Sequence, residues 1–149
     1  MLLQRQPNRW SCLPTAFAMF LDVPVQDIFD LCGHDGSEVV FPGRPDPHGR
    51  RSFHIQEMID FCDFKQRSVT PIECTPTSMN QYGEIYFIPV DPGRIYRFLS
   101  FNIGVLTGVV NGNAHAVAWA GDGLAYDPNG TTYPVDNFNI KLFFAIKSI

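Results

Sequence analysis

Four residues combine side-chain types that together can cleave an acyl bond. Cys12 begins an apolar, helix-like stretch, and a helix N-terminus stabilises the negative charge of a thiolate. His115 begins a strand-like run and could act as its base, while Asp127, at the end of the next such run, could orient the imidazole. Gln6, six residues before Cys12, could donate a hydrogen bond to a developing oxyanion. The four residues together indicate a cysteine-nucleophile hydrolase.

Each role has competitors of the same chemical type. The other histidines lie in or beside the irregular middle of the chain, and two further amides flank Gln6. These competitors are His34, His48, His54, Gln4 and Asn8. Asp122 lies between two glycines, where turn chemistry alone accounts for an aspartate. The order and element positions favour Cys12, His115, Asp127 and Gln6.

Helix signals dominate the N-terminal half of the chain, and strand signals dominate the C-terminal half. Helices are predicted from Cys12 with Ser11 as N-cap, over Val25–Cys32, after a cap at Ser52, and from Asp91. Strands are predicted over residues 84–90, 103–110, 114–120, 124–127 and 141–146. This order predicts an α+β fold in which N-terminal helices pack on a mostly antiparallel C-terminal sheet.

Length and composition are typical of one globular domain. The chain has 149 residues, 45% of them hydrophobic and 17% charged, which predicts a single domain over residues 1–149. The net charge of −4 argues against the extensive basic surface that nucleic-acid-binding proteins use to contact phosphates. No apolar run is long enough to cross a membrane, and no signal peptide follows Met1. The expectation is a cytoplasmic protein that binds neither nucleic acid nor membrane.

The cysteine pattern predicts free thiols and no metal site. The four cysteines stand at positions 12, 32, 62 and 74, without a C-x-x-C pair and without zinc-ligand spacing to the histidines. Cys32 and Cys62 each end an apolar helical stretch, as buried small hydrophobic residues do. A thiol hydrolase needs no metal or organic cofactor, so none is expected.

One basic cluster stands out in an otherwise acidic chain. Its members are Arg44, His48, Arg50 and Arg51, within a stretch that also contains three prolines and two glycines. This composition is typical of a solvated loop. A second interpretation is a flap beside the active site that selects acidic or carboxylate-bearing substrates.

The residue order resembles that of papain-like cysteine peptidases, especially the bacteriocin-processing (double-glycine) branch and its stand-alone relatives. The resemblance rests on Gln6 to Cys12, on His115-Ala116-Val117-Ala118, and on Asp127-Pro128. It implies a thiol peptidase of papain-like fold, with Cys12 as nucleophile, His115 as base and acid, Asp127 as orienter and Gln6 as oxyanion donor. Leu13-Pro14 departs from the polar-Cys-Gly pattern of that branch, so the shape of its substrate cleft next to the nucleophile is not carried over. No attached transporter or pro-region is expected, so the leader specificity of the branch is not carried over either.

Three functions therefore stand as hypotheses. The first is a peptidase that acts on a protein or peptide through an acyl-enzyme. The second keeps the triad but performs amide transfer or glutamine deamidation. The third is a binding module on a papain-like scaffold with an inert thiol. The oligomeric state is left open.

Overall fold

The computed structural model describes residues 1–39, 51–88, 91 and 93–149, which form an α+β fold. The helices described are α1 (Cys12–Leu21), α2 (Val25–Cys32), α3 (Ile55–Phe64) and α4 (Gly93–Phe101). The strands are β1 (Arg67–Glu73), β2 (Thr77–Met79), β3 (Ile85–Phe87), β4 (Gly104–Val110), β5 (Asn113–Trp119), β6 (Leu124–Asp127), β7 (Thr131–Pro134) and β8 (Ile140–Ser148). Six strands form one sheet in the order β1-β8-β4-β5-β6-β7, while β2 and β3 form a separate pair.

All neighbouring strands of the large sheet are antiparallel, and each face carries an apolar cluster. Val105, Ala116 and Phe144 pack with the helices α1, α2 and α3 on one face. Leu106 and Val117, the next residues along their strands, pack with α4 on the other face. The alternation follows from the two-residue period of a strand. The prediction of N-terminal helices packed on an antiparallel sheet is confirmed at this level.

Helix α1 is buried almost all round. Six consecutive residues, from Pro14 to Met19, are buried, as expected of a helix that is apolar on every side. Ser11 occupies the N-cap position, but its side chain makes no cap hydrogen bond. Its hydroxyl instead donates to the Asn8 carbonyl at 3.0 Å. The predicted cap chemistry at Ser11 is therefore wrong, because this hydroxyl closes the preceding turn.

The N-cap of helix α3 lies two residues later than the predicted cap at Ser52, and the helix begins at Ile55. Its N-cap is His54, whose ring accepts from the Gln56 N–H, while the Glu57 carboxylate accepts from the His54 N–H at 2.8 Å. This reciprocal pair is a capping box with histidine in the usual serine position. Ser52 instead donates through its hydroxyl to the Trp10 carbonyl at 3.0 Å, which ties residue 52 to the segment before Cys12.

The strands that sequence patterning missed include both edges of the large sheet. Strand β1 contains Pro71, and a proline argues against a strand unless it lies at an edge, as β1 does. At the opposite edge, β7 has four residues and follows the turn at Asn129-Gly130. Of the strand predicted over residues 84–90, only Ile85–Phe87 is observed as a strand, which is β3. Residues 89 and 90 lie outside the described part of the chain.

Because Gly108 has no side chain, the chain that follows the short 3-10 helix Val135–Asn137 can approach strand β4 closely. A Cβ atom at Gly108 would lie 2.2 Å from the Asn139 carbonyl oxygen, so a side chain there would displace backbone. The β4–β8 register also shifts between Thr107 and Gly108. Gly108 pairs with His115 across the β4–β5 ladder, so this close approach shapes the surroundings of His115.

Within the described residues, no single helix has both the length and the apolar character to cross a membrane. Helices α1 and α2 reach that length only when taken together, and they are bent by 119° relative to one another.

Candidate active site

The candidate site lies where strands β5 and β6 separate. Their ladder contains the pairs Trp119–Ala125 and Ala118–Tyr126, and it ends before His115 is reached. Asp127 is the last residue of β6. The N-terminal chain closes the far side of this opening, because the Gln6 N–H donates to the Pro128 carbonyl at 2.7 Å.

His115 and Asp127 bridge the opening through their side chains. Nε2 of His115 lies 2.8 Å from Oδ1 of Asp127, within hydrogen-bonding distance. The His115 ring also lies beside the Phe138 ring, with the centroids 6.4 Å apart. The short bond to Asp127 and the adjacent aromatic ring hold the imidazole in one orientation.

Asp127 is almost completely buried, with 3% of its surface exposed. Besides His115, it accepts from the Tyr133 hydroxyl at 2.7 Å and from the Asn129 N–H at 2.9 Å. Burial opposes ionisation of the carboxyl group, but these hydrogen bonds outweigh burial and hold the pKa of Asp127 below its usual value. Asp127 is therefore a carboxylate at neutral pH and can stabilise a cationic imidazole.

Tyr133 is a site residue that sequence reasoning missed. Burial and the bond to Asp127 raise the pKa of Tyr133, so its phenol remains a proton donor at neutral pH. Asp127 pairs with Thr131 across the β6–β7 hairpin, and Tyr133 lies two residues further on the same face. The Asn129-Gly130 pair is a hairpin signal that could have predicted β7, and with it Tyr133.

Replacing Tyr133 with phenylalanine should remove one donor from a buried carboxylate. We expect Tyr133→Phe to lower the free energy of unfolding by about 1–2 kcal/mol at pH 7. The pKa of Asp127 should rise toward its unfolded value, so the part of the stability that is lost as the pH falls below about 4 should be smaller than in the wild type. Denaturant unfolding from pH 3 to pH 7 measures both effects.

Tyr126→Phe provides the matched control for this prediction. The Tyr126 hydroxyl also donates to an aspartate, Asp122, at 2.6 Å, but that bond is exposed to solvent. Its loss should change the free energy of unfolding by less than about 0.5 kcal/mol. Equal effects of the two substitutions would show that Tyr133 gives Asp127 no special support.

Cys12 completes the group of contacts around His115. Hydrogen bonds with Asp127 and with the Cys12 side chain raise the pKa of His115 to about 9, against the opposing effect of burial. Nε2 is engaged by Asp127, which leaves Nδ1 as the ring nitrogen available to the thiol. At neutral pH the ring is protonated, and an imidazolium beside the sulfur is the arrangement that activates a cysteine nucleophile.

Cys12 is the first residue of α1. The N–H groups of a first helical turn have no partners within the helix, and they point toward the N-terminal end. Pro14, in the same turn, has no N–H. The amides of Cys12 and Leu13 are therefore the donors that this turn can offer to an oxyanion next to the sulfur.

Gln6 lies close to this group but is partly engaged. Its side-chain nitrogen donates to the Asn8 carbonyl at 2.8 Å, and one N–H of the amide is left for a ligand. The competing amides have other partners. Gln4 binds both Val23 O and Val25 N, while Asn8 binds Trp10 N and Asp35 O. Each of the three amides therefore keeps one side-chain N–H, and what distinguishes Gln6 is that its backbone N–H binds the carbonyl of Pro128, the residue after Asp127.

The competing histidines have structural contacts. His34 pairs with Glu57 at 2.6 Å, accepts from the Gly36 N–H at 3.1 Å, and stacks on Phe53 with the ring centroids 4.4 Å apart. His54 caps α3. His48 lies outside the described residues, as does the basic stretch 41–50. His115 interacts with both the Cys12 thiol and the buried carboxylate of Asp127.

The remaining cysteines are free thiols in less reactive surroundings. Burial and the neighbouring Glu57 raise the pKa of Cys32 to about 12, and burial raises that of Cys62 to about 12 and also raises that of Cys74. Across the described parts of the chain, no group of three histidine, cysteine or carboxylate side chains is arranged to hold a metal ion.

No family model, curated protein or solved structure matches this chain.

Proposed function

We propose that this chain is a cysteine peptidase. The observation that carries the proposal is the alignment of Cys12, His115 and Asp127, in which one imidazole is hydrogen-bonded to a buried carboxylate and its pKa is raised by that bond and by the thiol at a helix N-terminus. The helix that begins at the nucleophile packs on an antiparallel sheet that carries the histidine. This arrangement supports including the papain-like fold in the proposal.

In the acylation step, the Cys12 sulfur attacks the carbonyl carbon of the substrate. The carbonyl oxygen becomes negative, and the Cys12 amide with the free N–H of Gln6 can stabilise it. Each such donor contributes on the order of 3 kcal/mol to the transition state. Protonated His115 then donates its proton to the leaving amine, the C–N bond breaks, and a thioester with Cys12 is formed.

In the deacylation step, neutral His115 takes a proton from water as the water oxygen attacks the thioester carbonyl. The C–S bond breaks, the acid product leaves, and the Cys12–His115 pair is restored. Asp127 holds the ring in place during both steps and stabilises its cationic form, without taking the proton itself. Tyr133 and the Asn129 N–H hold Asp127 in turn.

The test is hydrolysis of a mixed peptide pool by the full chain, read by mass spectrometry and by an assay for released ammonia. The proposal predicts new peptide ends that appear with wild-type protein and not with Cys12→Ala. Cys12-dependent release of ammonia without new peptide ends would replace the peptidase assignment with glutamine deamidation. Neither product, together with ordinary alkylation rates at Cys12, would favour a binding module and overturn the proposal.

A further inference from the structure

A second group of residues lies directly before the nucleophile. The guanidinium carbon of Arg9 lies 5.2 Å from the centroid of the Trp10 ring, and that of Arg51 lies 5.5 Å from the same centroid. Trp10 is two residues from Cys12, and both arginines are exposed while Trp10 is half-buried. Two positive charges are thus held next to the start of α1.

The position of this group is set by backbone contacts. The Trp10 N–H donates to the Asn8 side chain at 2.9 Å, and the Ser52 hydroxyl donates to the Trp10 carbonyl at 3.0 Å. The second bond brings Arg51, the neighbour of Ser52, to the segment that precedes the nucleophile. The chain before α1 and the chain before α3 therefore contribute one arginine each to the same indole ring.

The charge of this group contrasts with that of the whole chain. The net charge is −4, yet two guanidinium groups lie over the ring of Trp10, which is two residues before Cys12 in the chain. Asp35 meets the same turn through its backbone, since its carbonyl accepts from the Asn8 side chain at 2.9 Å while its carboxylate accepts from the Ser37 N–H at 2.9 Å. Guanidinium groups present paired N–H donors that match a carboxylate.

We infer that Arg9 and Arg51, held on Trp10, form a subsite that binds a carboxylate of the substrate beside the bond that Cys12 attacks. The inference rests on the proposed function and names its substrate class, which is peptides with an aspartate or glutamate close to the scissile bond. Stacking on the indole restricts the two guanidinium groups and lowers the entropy lost when they bind the carboxylate.

The rate of Cys12 alkylation tests this subsite without requiring bond cleavage. Iodoacetate and iodoacetamide transfer similar groups to sulfur with loss of iodide, but only iodoacetate carries a negative charge. We expect the iodoacetate-to-iodoacetamide rate ratio at Cys12, read by peptide mass spectrometry, to fall at least about threefold in the double variant Arg9→Gln, Arg51→Gln. In the wild type, the ratio should also fall as salt is raised from 0.05 to 0.5 M.

Two further variants separate charge from packing. The double variant Arg9→Lys, Arg51→Lys keeps both charges, so its iodoacetate-to-iodoacetamide rate ratio at Cys12 should stay close to the wild-type value. Arg94→Gln is the matched control, because Arg94 also stacks on an aromatic ring, with its guanidinium carbon 4.8 Å from the Phe98 centroid, but lies on α4. The control should leave the ratio unchanged.

The outcomes distinguish this inference from the proposed function. An unchanged ratio in the glutamine variant, with fast His115-dependent alkylation by iodoacetamide, overturns the subsite and leaves the peptidase proposal standing. Slow alkylation by iodoacetamide overturns the activated thiol, while the ratio still reports on the arginines. If peptides are cleaved, a glutamate-to-glutamine change next to the cleaved bond should lower kcat/KM in the wild type and have little effect in the double glutamine variant.

Discussion

Replacing Cys12 with alanine should abolish peptide hydrolysis, lowering kcat/KM by roughly 10³-fold or more, because the proposed acyl-enzyme forms on the Cys12 sulfur. Cys12 is half-exposed at the first position of α1, and alanine is a strong helix former. The fold should therefore persist, as circular dichroism and thermal unfolding would show. Steady-state hydrolysis of a peptide that the wild type cleaves measures the loss.

Cys32→Ala is the matched control for this prediction. Cys32 is also half-exposed and lies at the end of α2, but its environment disfavours the thiolate. Its replacement should leave hydrolysis within about threefold of the wild-type rate, a typical effect of a change away from the chemistry. Activity that survives Cys12→Ala but not Cys32→Ala would show that the nucleophile is Cys32 on α2, and that the proposed nucleophile on α1 is wrong.

Asp127→Asn should reduce kcat by roughly 10²- to 10⁴-fold while the backbone around His115 is preserved. An asparagine cannot neutralise the imidazolium, and its amide can present a donor to the ring in place of an acceptor. The hydrogen bond that His115 donates to Asp127 is the largest cause of the raised His115 pKa. We therefore expect the His115 pKa to fall by at least about one unit from its value of about 9, as measured by NMR titration.

The same substitution should change how stability depends on pH. A histidine whose pKa is higher in the folded state stabilises the fold fully below its unfolded pKa of about 6.5. That contribution, on the order of 3 kcal/mol for His115, is lost as pH rises through about 9. Between pH 6.5 and 9, the wild type should therefore lose stability more steeply than Asp127→Asn in denaturant unfolding.

Asp122→Asn is the control for both effects. Asp122 lies in the exposed turn before β6 and accepts from the Leu124 N–H at 3.1 Å. Its conversion to an amide should leave kcat and the His115 pKa unchanged. If instead Asp127→Asn retained full activity and the wild-type His115 pKa, Asp127 would be a structural residue and not the orienting carboxylate.

The helix signals in the N-terminal half predicted local structure well because they depend on contacts between near neighbours in sequence. Apolar periodicity and the stop at Gly33 predicted α1 and α2 close to their observed bounds. The cap of α3 was wrong because His54 replaces the hydroxyl residue that capping rules favour. The edge strands β1 and β7 were missed because Pro71 weakens the pattern of the first and the second is short.

Sequence by itself determined which side chains are of the types that a thiol hydrolase would need, and it placed Cys12 on a helix start and His115 and Asp127 on successive strands. Residue type and short-range periodicity carry that information. Only the tertiary structure decided that the β5–β6 ladder ends before His115, so that its ring bridges to Asp127. The contact between Arg51 and Trp10 likewise depends on which distant chain segments meet in the fold, and residue spacing along the chain does not encode that meeting.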